Sequence, residues 1–141
     1  MKKDNKLYLY QATVIFSVLF SLIGFSYNVW RMEASEQNNN IRTASFEMLI
    51  NLSDLEQLIY SAHYDQDLEA GNPRKGWVTV GLIVDLSALT NAKVGQESEK
   101  LRSVWSDNWA AMVEDKSSVD SMVVAIDAVR LEIKNLLNSL D

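Results

Sequence analysis

The sequence predicts an all-α protein, a single N-terminal transmembrane helix followed by an antiparallel four-helix bundle. Three observations carry this reading. Leu7 to Trp30 is a stretch of 24 residues with no charge and a mostly apolar composition. Beyond it, apolar residues recur at steps of three and four, the period of a helix with one buried face. Five glycines and one proline in 141 residues are too few for a protein of many strands and turns.

The membrane segment comes first. Its 24 residues make about 36 Å of helix, against roughly 30 Å of hydrocarbon. Tyr8 and Tyr10 at one end, and Tyr27 and Trp30 at the other, are residue types that settle at membrane interfaces. Residues 1–6 hold Lys2, Lys3 and Lys6 against Asp4, whereas residues 31–141 hold ten Lys+Arg against eighteen Asp+Glu. Because basic flanks stay inside, the tail 1–6 is predicted to be cytoplasmic and residues 41–141 to be exported. The expected location is the plasma (inner) membrane, single-pass, with the C-terminal domain periplasmic or otherwise extracytoplasmic. A cleaved signal peptide competes with this, since Gly24-Phe25-Ser26 offers small residues at cleavage spacing. The apolar run is longer than an ordinary signal core, and no Ala-x-Ala occurs, which favours a retained signal-anchor.

Polar and small residues interrupt this segment. Ser17, Ser21, Gly24 and Asn28 follow at steps of four, three and four, with Gln11 and Thr13 nearer the start. Small residues let membrane helices approach closely, and hydroxyls or amides can bond across the gap. Gln11, Ser17, Ser21, Gly24 and Asn28 are therefore the candidate membrane docking face. The alternative is that these hydroxyls bond within their own helix.

Residues 31–40 are polar and free of glycine and proline, a linker that either extends the membrane helix or breaks at Asn38–Asn40. From Ile41, the series Ala44, Met48, Leu52, Leu55, Ile59 and Ala62 predicts the first bundle helix, ending near Tyr64 or Asp65. Gln66–Asn72 reads as a loop, and Asn72-Pro73 as a helix start. The segment Trp77–Asn91 is rich in β-branched residues but has no partner strand, so it is assigned as a helix ended near Gly95. Its expected inner face is Trp77, Val80, Val84 and Ser87. A third helix is expected over about Glu97–Asp115, with Leu101, Val104, Trp105, Asn108 and Met112 facing inward. Val119, Met122, Ile126, Val129, Ile133, Leu136 and Leu140 form an unbroken three-four repeat of the coiled-coil or bundle kind. Ser117 to Asp120 is the candidate capping box for that last helix.

Composition narrows the chemistry. The chain has no cysteine and one histidine, His63, so thiolate or multi-histidine metal sites are not expected, and neither metal nor cofactor is predicted. A net charge of −6 argues against wholesale nucleic-acid binding. His63 sits at the expected end of a helix with no partnered nucleophile, an ordinary place for that residue. Asp65, Asp67, Glu69 and Gly71 resemble a calcium loop only briefly, because the sixth and twelfth positions are Ala70 and Gly76. The sequon Asn51-Leu52-Ser53 falls within a predicted helix. Arg130 is expected to pair with Asp127, three residues earlier, and the stems of Arg42 and Arg130 to cover the core edge.

The candidate ligand or partner contacts are Arg74, Lys75 and Trp77, a cationic pair beside an indole at the start of the second bundle helix, and Trp109 at the core edge. No catalytic constellation is visible, so no enzyme activity is predicted. The expected function is a non-catalytic, membrane-anchored accessory or assembly subunit. Its predicted partners are the lipid bilayer and a membrane protein complex, or a homo-oligomer. The alternative is an extracytoplasmic ligand-binding sensor bundle that signals through a partner subunit.

Overall fold

A computed structural model describes the backbone of residues 2–140 and the side chains of residues 6–140. Met1, the charges of Lys2, Lys3 and Asp4 in the tail 1–6, and Asp141 lie outside the described residues. The described residues form four α-helices and no strand: α1 Lys2–His63, α2 Pro73–Ser87, α3 Ala92–Asn108 and α4 Lys116–Ser139.

Helix α1 continues through residues 31–40 without a break at Asn38–Asn40. The chain nevertheless divides into two compact units, Met1–Asn38 and Asn39–Asp141. In the first unit the apolar side chains from Leu7 to Trp30 are almost all exposed. The helix that carries them, near the N-terminus, is long and apolar enough to cross a membrane.

In the second unit all four helices contribute to one apolar core. Met48, Leu52, Leu55 and Ile59 of α1 meet Val80 and Ile83 of α2, Val94, Leu101 and Trp105 of α3, and the α4 series from Val119 to Leu136. Each such aliphatic side chain contributes about 1.5–3 kcal/mol when fully buried. The α4 repeat is buried from Val119 through Leu136, and Leu140 packs against it half-buried. Helix α2 packs against α3, and α3 against α4.

Several boundaries differ from those the sequence suggests, for reasons that lie in the caps. Helix α2 stops at Ser87, not near Gly95, because Ala88, Leu89 and Thr90 close the chain with i→i+3 bonds. Asn91 then caps α3 by accepting from the Val94 N–H, so Gly95 falls in the first turn of α3 instead of ending α2. Helix α3 ends at Asn108 with Trp109 as its C-cap, short of the predicted Asp115. Asp115 instead opens α4, its carboxylate accepting from the N–H groups of Ser117 and Ser118. The cap is therefore Asp115, two residues before the predicted capping box. Helix α1 ends at His63, one residue before the predicted range, and Asn72-Pro73 starts α2 as expected.

The inner face of α2 is also shifted. It consists of Gly76, Val80, Ile83 and Ser87, while Trp77 lies 39% exposed and Val84 is only half-buried. The absence of a side chain at Gly76 makes this possible. A Cβ there would fall on Cζ2 and Cη2 of Trp105, whose ring fills the space. Trp105 is fully buried, and its Nε1 has no hydrogen-bond partner among the described residues. Packing alone holds that indole in place. Gly71 similarly lets the α1–α2 loop lie against the backbone of Ala62.

Candidate functional site

Two regions emerge, one in each unit, and they are built differently. In the first unit, Thr13 donates to the Leu9 carbonyl, Ser17 to that of Thr13 and Ser21 to that of Ser17, each at 2.8 Å. The hydroxyls of the predicted docking face are thus satisfied by their own helix. They line a shallow concavity bounded by Tyr10 and Phe25. Gly24 has nothing within 4 Å of a would-be Cβ, and Asn28 is exposed. At about 100° per residue, Ser17, Ser21, Gly24 and Asn28 fall within a roughly 60° arc, whereas Gln11 lies roughly 120° from Ser17. Four of the five predicted residues share a face, and Gln11 does not.

In the second unit, Lys75 reaches a cleft of about 300 Å³ between α1 and α2. Asp54, Gln57 and Ser61 line its α1 side and Thr79 its α2 side. The Lys75 ammonium donates to the Glu69 carbonyl at 3.2 Å. The other predicted contacts do not join it. Arg74 is exposed, with its backbone N–H on the Asn72 cap, and Trp77 stands edge-on against Trp105 at 6.4 Å between ring centroids. Trp109, 36% exposed, ends α3. Arg74, Lys75 and Trp77 therefore form no common pocket. Their positions on one helical turn point in three directions.

His63 closes α1 structurally. Its Nδ1 donates to the carbonyls of Met112 and Val113, at 2.9 and 3.1 Å, tying the end of α1 to the α3–α4 connection. The short acidic loop is a turn: Asp67 accepts from the N–H groups of Glu69 and Ala70. Those bonds, Ala70 first, hold its carboxyl below the usual carboxylate range. Asn51 of the sequon is helical, and its amide donates to the Glu47 carbonyl one turn back.

One cluster crosses between α1 and α4. Arg130 bonds Asp127 at 2.9 Å, as the spacing predicts, and also Glu56 at 2.5 Å, 74 residues away in sequence. Tyr60 donates to the other Glu56 oxygen at 3.0 Å. Burial, followed by that bond to an anionic acceptor, pushes the Tyr60 phenol up. The Tyr60 contact lies at i,i+4 and is visible in sequence, but the long-range pair is not. Farther along the same two helices, Arg42 donates to the Leu140 carbonyl at 3.0 Å.

The chain matches no known family model, no curated protein and no solved structure.

Proposed function

We propose that the chain is a single-pass membrane protein with a cytoplasmic N-terminus, acting as a non-catalytic accessory or assembly subunit of a membrane complex. In this reading residues 41–141 fold as an antiparallel four-helix bundle outside the membrane. The Ser17, Ser21, Gly24 and Asn28 face docks within the bilayer, and the acidic bundle meets the same partner outside. The observation that carries the proposal is an exposed, uncharged apolar stretch flanked by aromatic residues, on the very helix that also supplies core residues to the second unit. The acidic balance beyond Trp30 supports export, because basic residues concentrate before the span.

Tagged full-length protein, purified from its native membranes in mild detergent and analysed by mass spectrometry, tests this. A stoichiometric multi-pass partner is expected, released by Ser21→Leu or Gly24→Leu while the far-UV spectrum stays helical. Recovery of the protein as a defined homo-oligomer would overturn the accessory role, and partner retention by both variants would overturn the docking face.

A second reading, a ligand-binding sensor, draws on the α1–α2 cleft with its Lys75, Asp54, Gln57 and Ser61 side chains. It predicts that a small zwitterionic or anionic metabolite raises the unfolding temperature of the full-length protein, and that Lys75→Met abolishes the rise. No rise across a broad panel would sink it.

A further inference from the structure

We infer that the exposed face shared by α1 and α2 is a docking groove for a basic amphipathic helix of the partner protein. The inference rests on the accessory-subunit reading and names the surface and the chemistry of what it meets.

The placement follows from the junction of the two helices. Gly71 lies against Ala62, so α2 begins beside the end of α1. The cleft then sets Asp54 and Ser61 of α1 opposite Lys75 and Thr79 of α2. Following both helices away from that junction, α1 reaches Ile50 and then Phe46, while α2 passes Leu82 and, just past its end, Leu89. These residues share the helical faces that line the cleft, since Ile50 is one turn from Asp54 and Leu82 two turns from Lys75. Phe46, Ile50, Val78, Leu82 and Leu89 are between 41% and 73% exposed. Scattered apolar residues need no explanation, but five on adjoining faces form a strip of the kind that marks an interface.

Charge selects the occupant. Glu47, Asp54 and Asp85 flank this strip, and among the described residues no ion pair or side-chain hydrogen bond engages their carboxylates. By contrast, Glu56, Glu97, Glu99, Asp120 and Asp127 are each paired with a cation of the same chain. Apolar anchors rimmed by unpaired carboxylates complement a helix with Leu- or Ile-type residues on one face and Lys or Arg beside them. A second copy seated here would bring carboxylates against carboxylates, and an anionic bilayer surface would be repelled.

The test uses the full-length protein in its native membranes. Phe46→p-benzoylphenylalanine and Leu82→p-benzoylphenylalanine place photo-crosslinkers on the strip, and Leu131→p-benzoylphenylalanine, on exposed α4, is the control. The expected result is an adduct from positions 46 and 82, absent from 131, whose attached peptide has an apolar helical period and net positive charge. Glu47→Lys combined with Asp85→Lys should then lower adduct yield about tenfold, with unchanged thermal unfolding. Adducts to a second copy, to lipid or to an acidic segment overturn the inference. So does the lack of adducts while the partner still co-purifies, which leaves the accessory reading standing. Failure of any partner to co-purify overturns that reading itself, and this inference with it.

Discussion

Gly76→Ala is a sensitive probe of the second unit, because general propensity and local packing predict opposite signs. In an open helix the change stabilises, by up to about 1 kcal/mol. At Gly76 the new methyl would overlap Cζ2 and Cη2 of Trp105. That ring is fully buried and has no room to withdraw. Overpacking a fitted core costs about 1–3 kcal/mol, so the net effect is a loss of roughly 1–2 kcal/mol. For a unit of about 100 residues this lowers the unfolding midpoint by roughly 5–15 °C. Gly81, on the same helix, has nothing within 4 Å of its would-be Cβ. Gly81→Ala should therefore raise the midpoint by a few degrees. Thermal unfolding followed by far-UV circular dichroism measures both, in full-length protein in one detergent. Trp105→Phe removes the obstructing ring atoms, so Gly76→Ala should cost less in that background, a positive coupling in a double-mutant cycle. If Gly76→Ala melts at or above the parent, the close packing of α2 on Trp105 is wrong.

Two further predictions test how the helices are tied together. Arg130→Ala strands the half-buried Glu56 and should cost about 1–3 kcal/mol in urea unfolding, whereas Asp127→Ala, removing the exposed partner, should cost under about 0.5 kcal/mol. Equal losses would show that the α1–α4 pair contributes nothing special. The Ser118 hydroxyl, followed by the Ser117 N–H, holds the Asp115 carboxyl below its ordinary range. A carboxyl depressed in the folded state stabilises fully above its unfolded pKa, near about 3.9, and loses that contribution as pH falls through the lower folded value. Acid titration of the melting midpoint should therefore fall less steeply below about pH 4 in Asp115→Asn than in the parent. An unchanged acid limb would remove Asp115 from the account.

Much of this molecule is legible in its sequence because the signals are periodic. The α4 repeat and the α1 series from Ala44 to Ala62 can be read directly, since each buried position carries an apolar side chain. Helix α2 is harder because one buried position is Gly76, which no hydropathy pattern marks, and its partner Trp105 lies 29 residues further along the chain. Ambiguous punctuation hides the α3 boundaries. Gly95 resembles a stop, but Asn91 four residues earlier supplies the cap that starts the helix. For the candidate sites, a one-turn cluster such as Arg74, Lys75 and Trp77 looks convergent in sequence, yet a step of about 100° per residue disperses it. The strip of Phe46, Ile50 and Leu82 escapes sequence reading for a related reason. Periodicity says which face a helix buries, but not which outer residues another helix leaves uncovered.

The chain of hydroxyl bonds from Thr13 to Ser21 bears on biogenesis. A serine in hydrocarbon is costly when its donor is unmet, and here each donor is already met one turn back. Under the single-pass reading, such a segment enters a bilayer alone as readily as a plainly apolar one. Synthesis of this subunit then need not be timed to that of its partner. An unassembled copy could wait in the membrane without exposing unsatisfied groups to quality-control proteases, and assembly would be governed by lateral encounter rather than by co-insertion.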